Sequence, residues 1–110
     1  MLIYAVIAIT LAILVGIGMA SQILQKKPFH KGYSFLHLGL VLLGALFTII
    51  AALSGGVLLW WNIGLAVIVS LLGFMLAFRL VGQTKAIAVL AIHAGLALSC
   101  YLFLAYNTFS

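Results

Sequence analysis

The sequence predicts an all-α integral membrane protein, a four-helix bundle forming one transmembrane domain over residues 1–110. Three observations predict it. Hydrophobic residues fill 68% of the 110 positions, five residues carry a formal charge, and Asp and Glu are absent. A soluble domain needs both signs of charge on its surface, normally on roughly a quarter of its residues. The apolar sequence also divides into four pieces, each near the roughly 20 residues that a bilayer core requires. The basic residues, finally, gather in two short loops: Lys26, Lys27 and Lys31 in one, Arg79 and Lys85 in the other. Because they do not tile a soluble face, the net charge of +5 does not point to nucleic acid.

The first helix is predicted at about residues 2–24 and ends at Gln25-Lys26-Lys27-Pro28-Phe29-His30-Lys31-Gly32, where charge, proline and glycine break it. The second is predicted at about 33–53, closed by the uncharged turn Ser54-Gly55-Gly56. The third covers about 57–80, up to Val81-Gly82-Gln83-Thr84-Lys85, and the fourth about 86–106. Met1-Leu2-Ile3-Tyr4 runs into apolar sequence without a basic region or a cleavage site, so the first segment is expected to remain as a span. The single cysteine, Cys100, excludes an internal disulfide.

Both basic loops fall on one face of a four-span protein. The positive-inside rule places them in the cytoplasm, with both termini and the turn 54–56 on the opposite side. The expected location is a bacterial inner membrane or an equivalent organelle membrane. Tyr4, Trp60, Trp61 and Tyr106 are then expected at the outer interface. Small residues recur at helical spacing: Ala8, Ala12, Gly16 and Ala20 in the first helix, Ala66, Ser70, Gly73 and Ala77 in the third. In lipid such ridges let helices approach closely, and they read as packing surfaces.

A His-x-Gly-Leu-x-Leu pattern occurs twice, at His37 and at His93, an offset of 93 − 37 = 56 positions. Met19/Met75, Gly39/Gly95, Leu40/Leu96, Leu42/Leu98, Leu46/Leu102 and Phe47/Phe103 agree at the same offset. The halves read as two tandem helical hairpins related by a pseudo-two-fold axis along the membrane normal. Both histidines then lie on parallel helices, roughly 6–11 Å into the cytoplasmic half at the α-helical rise. Intramembrane ionisable residues are costly and mark functional sites. On the second helix the His37 face continues to Gly44, Ala45 and Thr48; on the fourth the His93 face continues to Ala97 and Cys100.

Two imidazoles facing each other inside a bundle suit axial ligation of one haem b, with His37 and His93 on the iron. Gly39, Gly44 and Gly95 are expected to permit close approach of the macrocycle. No Cys-x-x-Cys-His sequence exists, which excludes covalent c-type attachment. Lys26, Lys27, Lys31, Arg79 and Lys85 are placed to pair propionates, although the positive-inside rule alone accounts for each. The alternatives stay open at this point: a cofactor-free accessory or assembly subunit whose histidines bond neighbouring helices, a chlorophyll-binding subunit, or a quinone site. Proton-coupled transport lacks its intramembrane carboxylate, and hydrolysis lacks a carboxylate to orient a histidine base. His30 reads as a loop residue, Cys100 as packing, Asn62 as interfacial and Arg79 as snorkelling to the surface.

With four spans and histidines at positions 37 and 93 on the second and fourth, the chain resembles the small membrane-bound b-type cytochromes. These include the b561-like proteins and the haem-carrying anchor subunits of respiratory dehydrogenases. The resemblance implies electron exchange with a quinol or a partner redox subunit within a larger membrane complex. No hydrolytic or transfer site is visible in the residues, which leaves at most a redox subunit, and two intramembrane histidines allow at most one bis-histidine haem.

Overall fold

The computed structural model describes residues 2–25, 31–55, 57–77 and 83–109. It contains four helices: α1 (Leu2–Leu24), α2 (Lys31–Leu53), α3 (Val57–Ala77) and α4 (Gln83–Phe109). Lys26, Lys27, Pro28, His30, Arg79 and the expected end of the third helix at residues 78–80 lie outside the described residues. All four helices are long and apolar enough to cross a membrane. The chain is a multi-pass membrane bundle, 43 Å along its longest axis, against about 30 Å for a hydrocarbon core.

The short connections make successive helices antiparallel. Each helix packs against two others: α1 on α2 and α4, α3 on α2 and α4. The backbones of the diagonal pairs α1/α3 and α2/α4 do not approach one another closely among the described residues. The result is a ring of four helices in chain order, with the described ends of α1 and α3 and the starts of α2 and α4 at one end. The α2–α3 turn and the chain termini share the other end.

Hydropathy located the spans, but two helices run past the apolar stretch. α2 begins two residues before the expected start at 33. α4 begins three before 86 and ends three after 106. Helical hydrogen bonding does not stop where lipid does. At the end of α4, Asn107 Nδ2 donates to the Phe103 carbonyl and Thr108 Oγ1 to the Leu104 carbonyl, both at 2.8 Å. Each of these side chains bonds the carbonyl four residues before it, so its polar group is satisfied within α4 itself.

Burial follows residue size. Ala5, Ala8 and Ala12 of α1 are buried, so the small-residue ridge of the first helix is a packing surface. Ala5, Val6, Ala52, Leu59 and Leu104 form the core near the end that carries the termini. The large side chains turn outward: Phe35, Leu53 and Trp61 are more than 70% exposed, the arrangement expected when lipid is the solvent. Tyr4, Trp60, Trp61 and Tyr106 are all exposed toward the termini end, where amphipathic rings form an interfacial belt.

The α2–α3 turn tightens through Ser54 N–H to the Ala51 carbonyl and Gly55 N–H to the Ala52 carbonyl, both 3.1 Å. Gly55 has φ = +113°, a region that L side chains rarely adopt. Gly55→Val is therefore expected to lower stability in detergent micelles by about 1–2 kcal/mol. Gly64→Ala, where an added methyl meets open space, is expected to cause no loss. Equal unfolding midpoints for the two variants would show that the turn tolerates a side chain.

Candidate functional site

The site is built from the two histidines of the even-numbered helices. His37 Nδ1 lies 2.8 Å from the carbonyl oxygen of Ala12 in α1. His93 Nδ1 lies 2.8 Å from the carbonyl oxygen of Val69 in α3. A carbonyl oxygen only accepts, so Nδ1 carries the proton in both rings and donates it. In the neutral imidazole the Nε2 lone pair is then uncommitted. Neither Nε2 has a hydrogen-bond partner among the described residues.

Each ring rests on a glycine of the same odd-numbered helix. A methyl group added at Gly16 would stand 3.1 Å from Cε1 of His37, and one at Gly73 would stand 3.1 Å from Cε1 of His93. The two hairpins thus carry the same device: imidazole, carbonyl, and a glycine four residues further on. In α1 and α3 the equivalent positions are 73 − 16 = 57 and 69 − 12 = 57 apart, against 56 for the histidines. The Met19/Met75 match at offset 56 therefore does not pair structural equivalents. The first hairpin is one residue longer between glycine and histidine.

Three expected site residues fall elsewhere. Gly39 and Gly95 are exposed, and an added methyl would meet nothing within 4 Å at either. Each lies two residues beyond its histidine, about 200° around the helix, so neither opens room beside a ring. Gly44 is buried on the His37 face as expected, but the Ile9 side chain fills its space, making it an α1/α2 packing residue. Gly16 and Gly73 take the place these three were expected to hold. The sequence showed both as members of small-residue ridges, with nothing to single them out.

The two imidazoles were expected to face each other across the interior. Each is engaged through Nδ1 by a carbonyl of its own hairpin partner. Along the helix axes they lie about 9 Å from the start of α2 and about 15 Å from the start of α4, the added length being the residues by which each helix begins before its apolar stretch. Among the described residues no group of three or more His, Cys, Asp or Glu gathers. A metal already seated in a macrocycle needs only two axial donors.

Several further polar contacts join or cap the helices away from the histidines. Thr10 Oγ1 donates to the Val6 carbonyl at 2.7 Å. Its single proton is thereby used, so Tyr101 OH donates to Thr10 Oγ1 in their 2.9 Å contact. That bond joins the two hairpins. Asn62 is 3% exposed and accepts the Cys100 thiol at Oδ1, 2.6 Å away. It is buried in the α3/α4 seam, where the thiol satisfies its amide oxygen. Thr48 returns its hydroxyl to the Gly44 carbonyl at 2.8 Å. Gln22 Oε1 is buried without a partner among the described residues. A hollow of about 600 Å³ opens at the termini end, lined by Leu2, Ile3, Tyr4, Ala51, Ser54 and Thr108, remote from both histidines.

Comparison with protein-family models, curated proteins and solved structures gave no match.

Interhelical hydrogen bonds in membrane proteins average about 0.6 kcal/mol in double-mutant cycles. The Thr10→Val/Tyr101→Phe cycle should return a coupling of about that size. A coupling of zero would mean that the hydroxyls find equal partners elsewhere.

Proposed function

We propose that the chain is a membrane subunit holding one haem b between α2 and α4, with His37 and His93 as its axial ligands. The observation that carries this reading is the pair of Nδ1–H bonds to helix carbonyls. Metal-ligating histidines almost always donate their other ring N–H to a carbonyl, carboxylate or water, which fixes the tautomer and raises the basicity of the ligating nitrogen. Two imidazoles prepared alike, on diagonal helices of one ring, match the donor set of a low-spin b-type haem. Glycine backbone beside each ring leaves that side free of bulk. The group supplies one-electron exchange when bound; the protein holds each Nδ1 proton on a carbonyl and presents each Nε2 lone pair.

The partner would be a quinol or another redox subunit of a larger complex, because two histidines support a single haem and no chain of haems across the bilayer. The positive-inside rule puts the two lysine-bearing loops in the cytoplasm and both termini outside, in a bacterial inner membrane or its organelle equivalent.

A second reading rests on the same contacts. Each Nδ1–H bond is also what a cofactor-free scaffold would use to lock a hairpin, and the Cε1 edges already rest on Gly16 and Gly73. Such a chain would be an accessory or assembly subunit. A reduced-minus-oxidised spectrum of the purified protein separates the two: the haem reading expects Soret and α-band changes, the scaffold reading a flat trace, and a far-red band would indicate chlorophyll.

Under the haem reading, His37→Ala and His93→Ala should each remove the Soret band while the four-helix circular dichroism persists. Full haem content in either variant would defeat bis-histidine ligation. For orientation, a cysteine replacing Lys31 should react with an impermeant thiol reagent from the cytoplasmic side alone. Reaction from the opposite side would invert the topology.

A further inference from the structure

We infer that Gly16 and Gly73 are the positioning residues of the paired imidazoles, each fixing its histidine as the Nδ1–H tautomer by uncovering the helix carbonyl four residues before it. The inference deepens the haem reading and takes from it only the role of Nε2.

The argument starts from helix geometry. A carbonyl oxygen in an α-helix points toward the residue four places on, accepts that residue's N–H, and keeps a second lone pair. That lone pair is normally screened, because Cα–Cβ bonds tilt toward the N-terminus and a side chain covers the turn before its own Cα. The residue best placed to cover the Ala12 oxygen is therefore residue 16, and for the Val69 oxygen it is residue 73. Both are glycine. The imidazole occupies the uncovered space: Cε1 would lie 3.1 Å from a methyl at either position, with Nδ1 next at 3.5 Å for His37 and 3.7 Å for His93. A separation of 3.1 Å is tighter than carbon atoms normally pack, so an alanine there displaces the ring by a few tenths of an ångström and a branched side chain displaces it further from its carbonyl.

The same three-part arrangement in both hairpins, with distances agreeing to 0.1 Å at the hydrogen bond and the Cε1 contact, argues against accidental packing. Glycines without this role are present on the same helices. Gly18 in α1 and Gly64 in α3 face open space, and neither has a ring beside it.

The consequence is chemical. In water a neutral imidazole exchanges between its two tautomers. Held against a carbonyl within the apolar interior, it cannot place the proton on Nε2 without leaving two acceptors facing each other at Nδ1. The glycine thus decides which nitrogen is the base.

The test uses full-length, haem-free protein in micelles, labelled with ¹⁵N-histidine. In the wild type, both His37 and His93 should show a protonated Nδ1 and an unprotonated Nε2. Gly16→Val should abolish that pattern for His37 alone, and Gly73→Val for His93 alone, each giving a mixture of tautomers. Should a valine variant fail to fold, Gly16→Ala and Gly73→Ala give a smaller shift of the same sign at the same single ring. Gly18→Ala and Gly64→Ala leave both rings unchanged. Mixed tautomers in the wild type, or an unaltered Nδ1–H pattern in the alanine and valine variants, would overturn the assignment. In haem-loaded protein the weakened Nδ1–H bond makes a poorer donor of the ligand, so the alanine variants should raise the midpoint potential. Because the nitrogen spectra are recorded without haem, a protein that binds none refutes the haem reading and leaves the tautomer result standing on its own.

Discussion

Within lipid an imidazole N–H has few places to go. Water is absent, and one lone pair of nearly every helix carbonyl is already committed to the helix's own ladder. What remains is the second lone pair of a helix carbonyl, reachable only where no side chain covers it. The bonds from His37 to Ala12 and from His93 to Val69 meet that requirement. They fix the rotation of each helix pair, because a turn of either helix would carry the ring away from its glycine. The same orientation leaves the bulky residues facing outward, as lipid solvent favours.

The hairpins agree at the histidine and differ two turns away. Seven residues beyond His37 is Gly44; seven beyond His93 is Cys100. Seven residues before Ala12 is Ala5; seven before Val69 is Asn62. In the first hairpin the level is filled by contact alone, with Ile9 packed over Gly44 and Ala5 fully buried. In the second the same level holds the hydrogen bond between Cys100 and Asn62. Close backbone approach and a polar pair are the two means by which helices associate in a membrane, and each hairpin uses a different one. Thr10 and Tyr101 then tie one hairpin to the other.

Much of this was legible from residue types. The four spans follow from hydropathy, and the two histidines stood out because ionisable groups are costly in lipid. The ridge of Ala8 and Ala12 was read as packing and is buried. Gly39 and Gly95 misled because they adjoin the histidines in sequence, whereas a helix places a residue two positions on at the far side. The burial of Asn62 was not legible, because its neighbours Trp60 and Trp61 are exposed while the helix turns the asparagine inward. The link between Thr10 and Tyr101, 91 positions apart, left no trace in either local pattern.

Chain chemistry alone dictated a lipid-soluble, four-span architecture with paired imidazoles, since an acid-free chain of this hydropathy has no other way to satisfy its backbone and surface. Which atoms the imidazoles engage was decided only when the helices came together. A hydrogen bond to a carbonyl depends on the angular register between two helices and on the absence of a side chain at one point of contact. Periodicity within one helix cannot specify either. Gly16 and Gly73 look like every other small residue of their ridges until the neighbouring helix brings a ring against them.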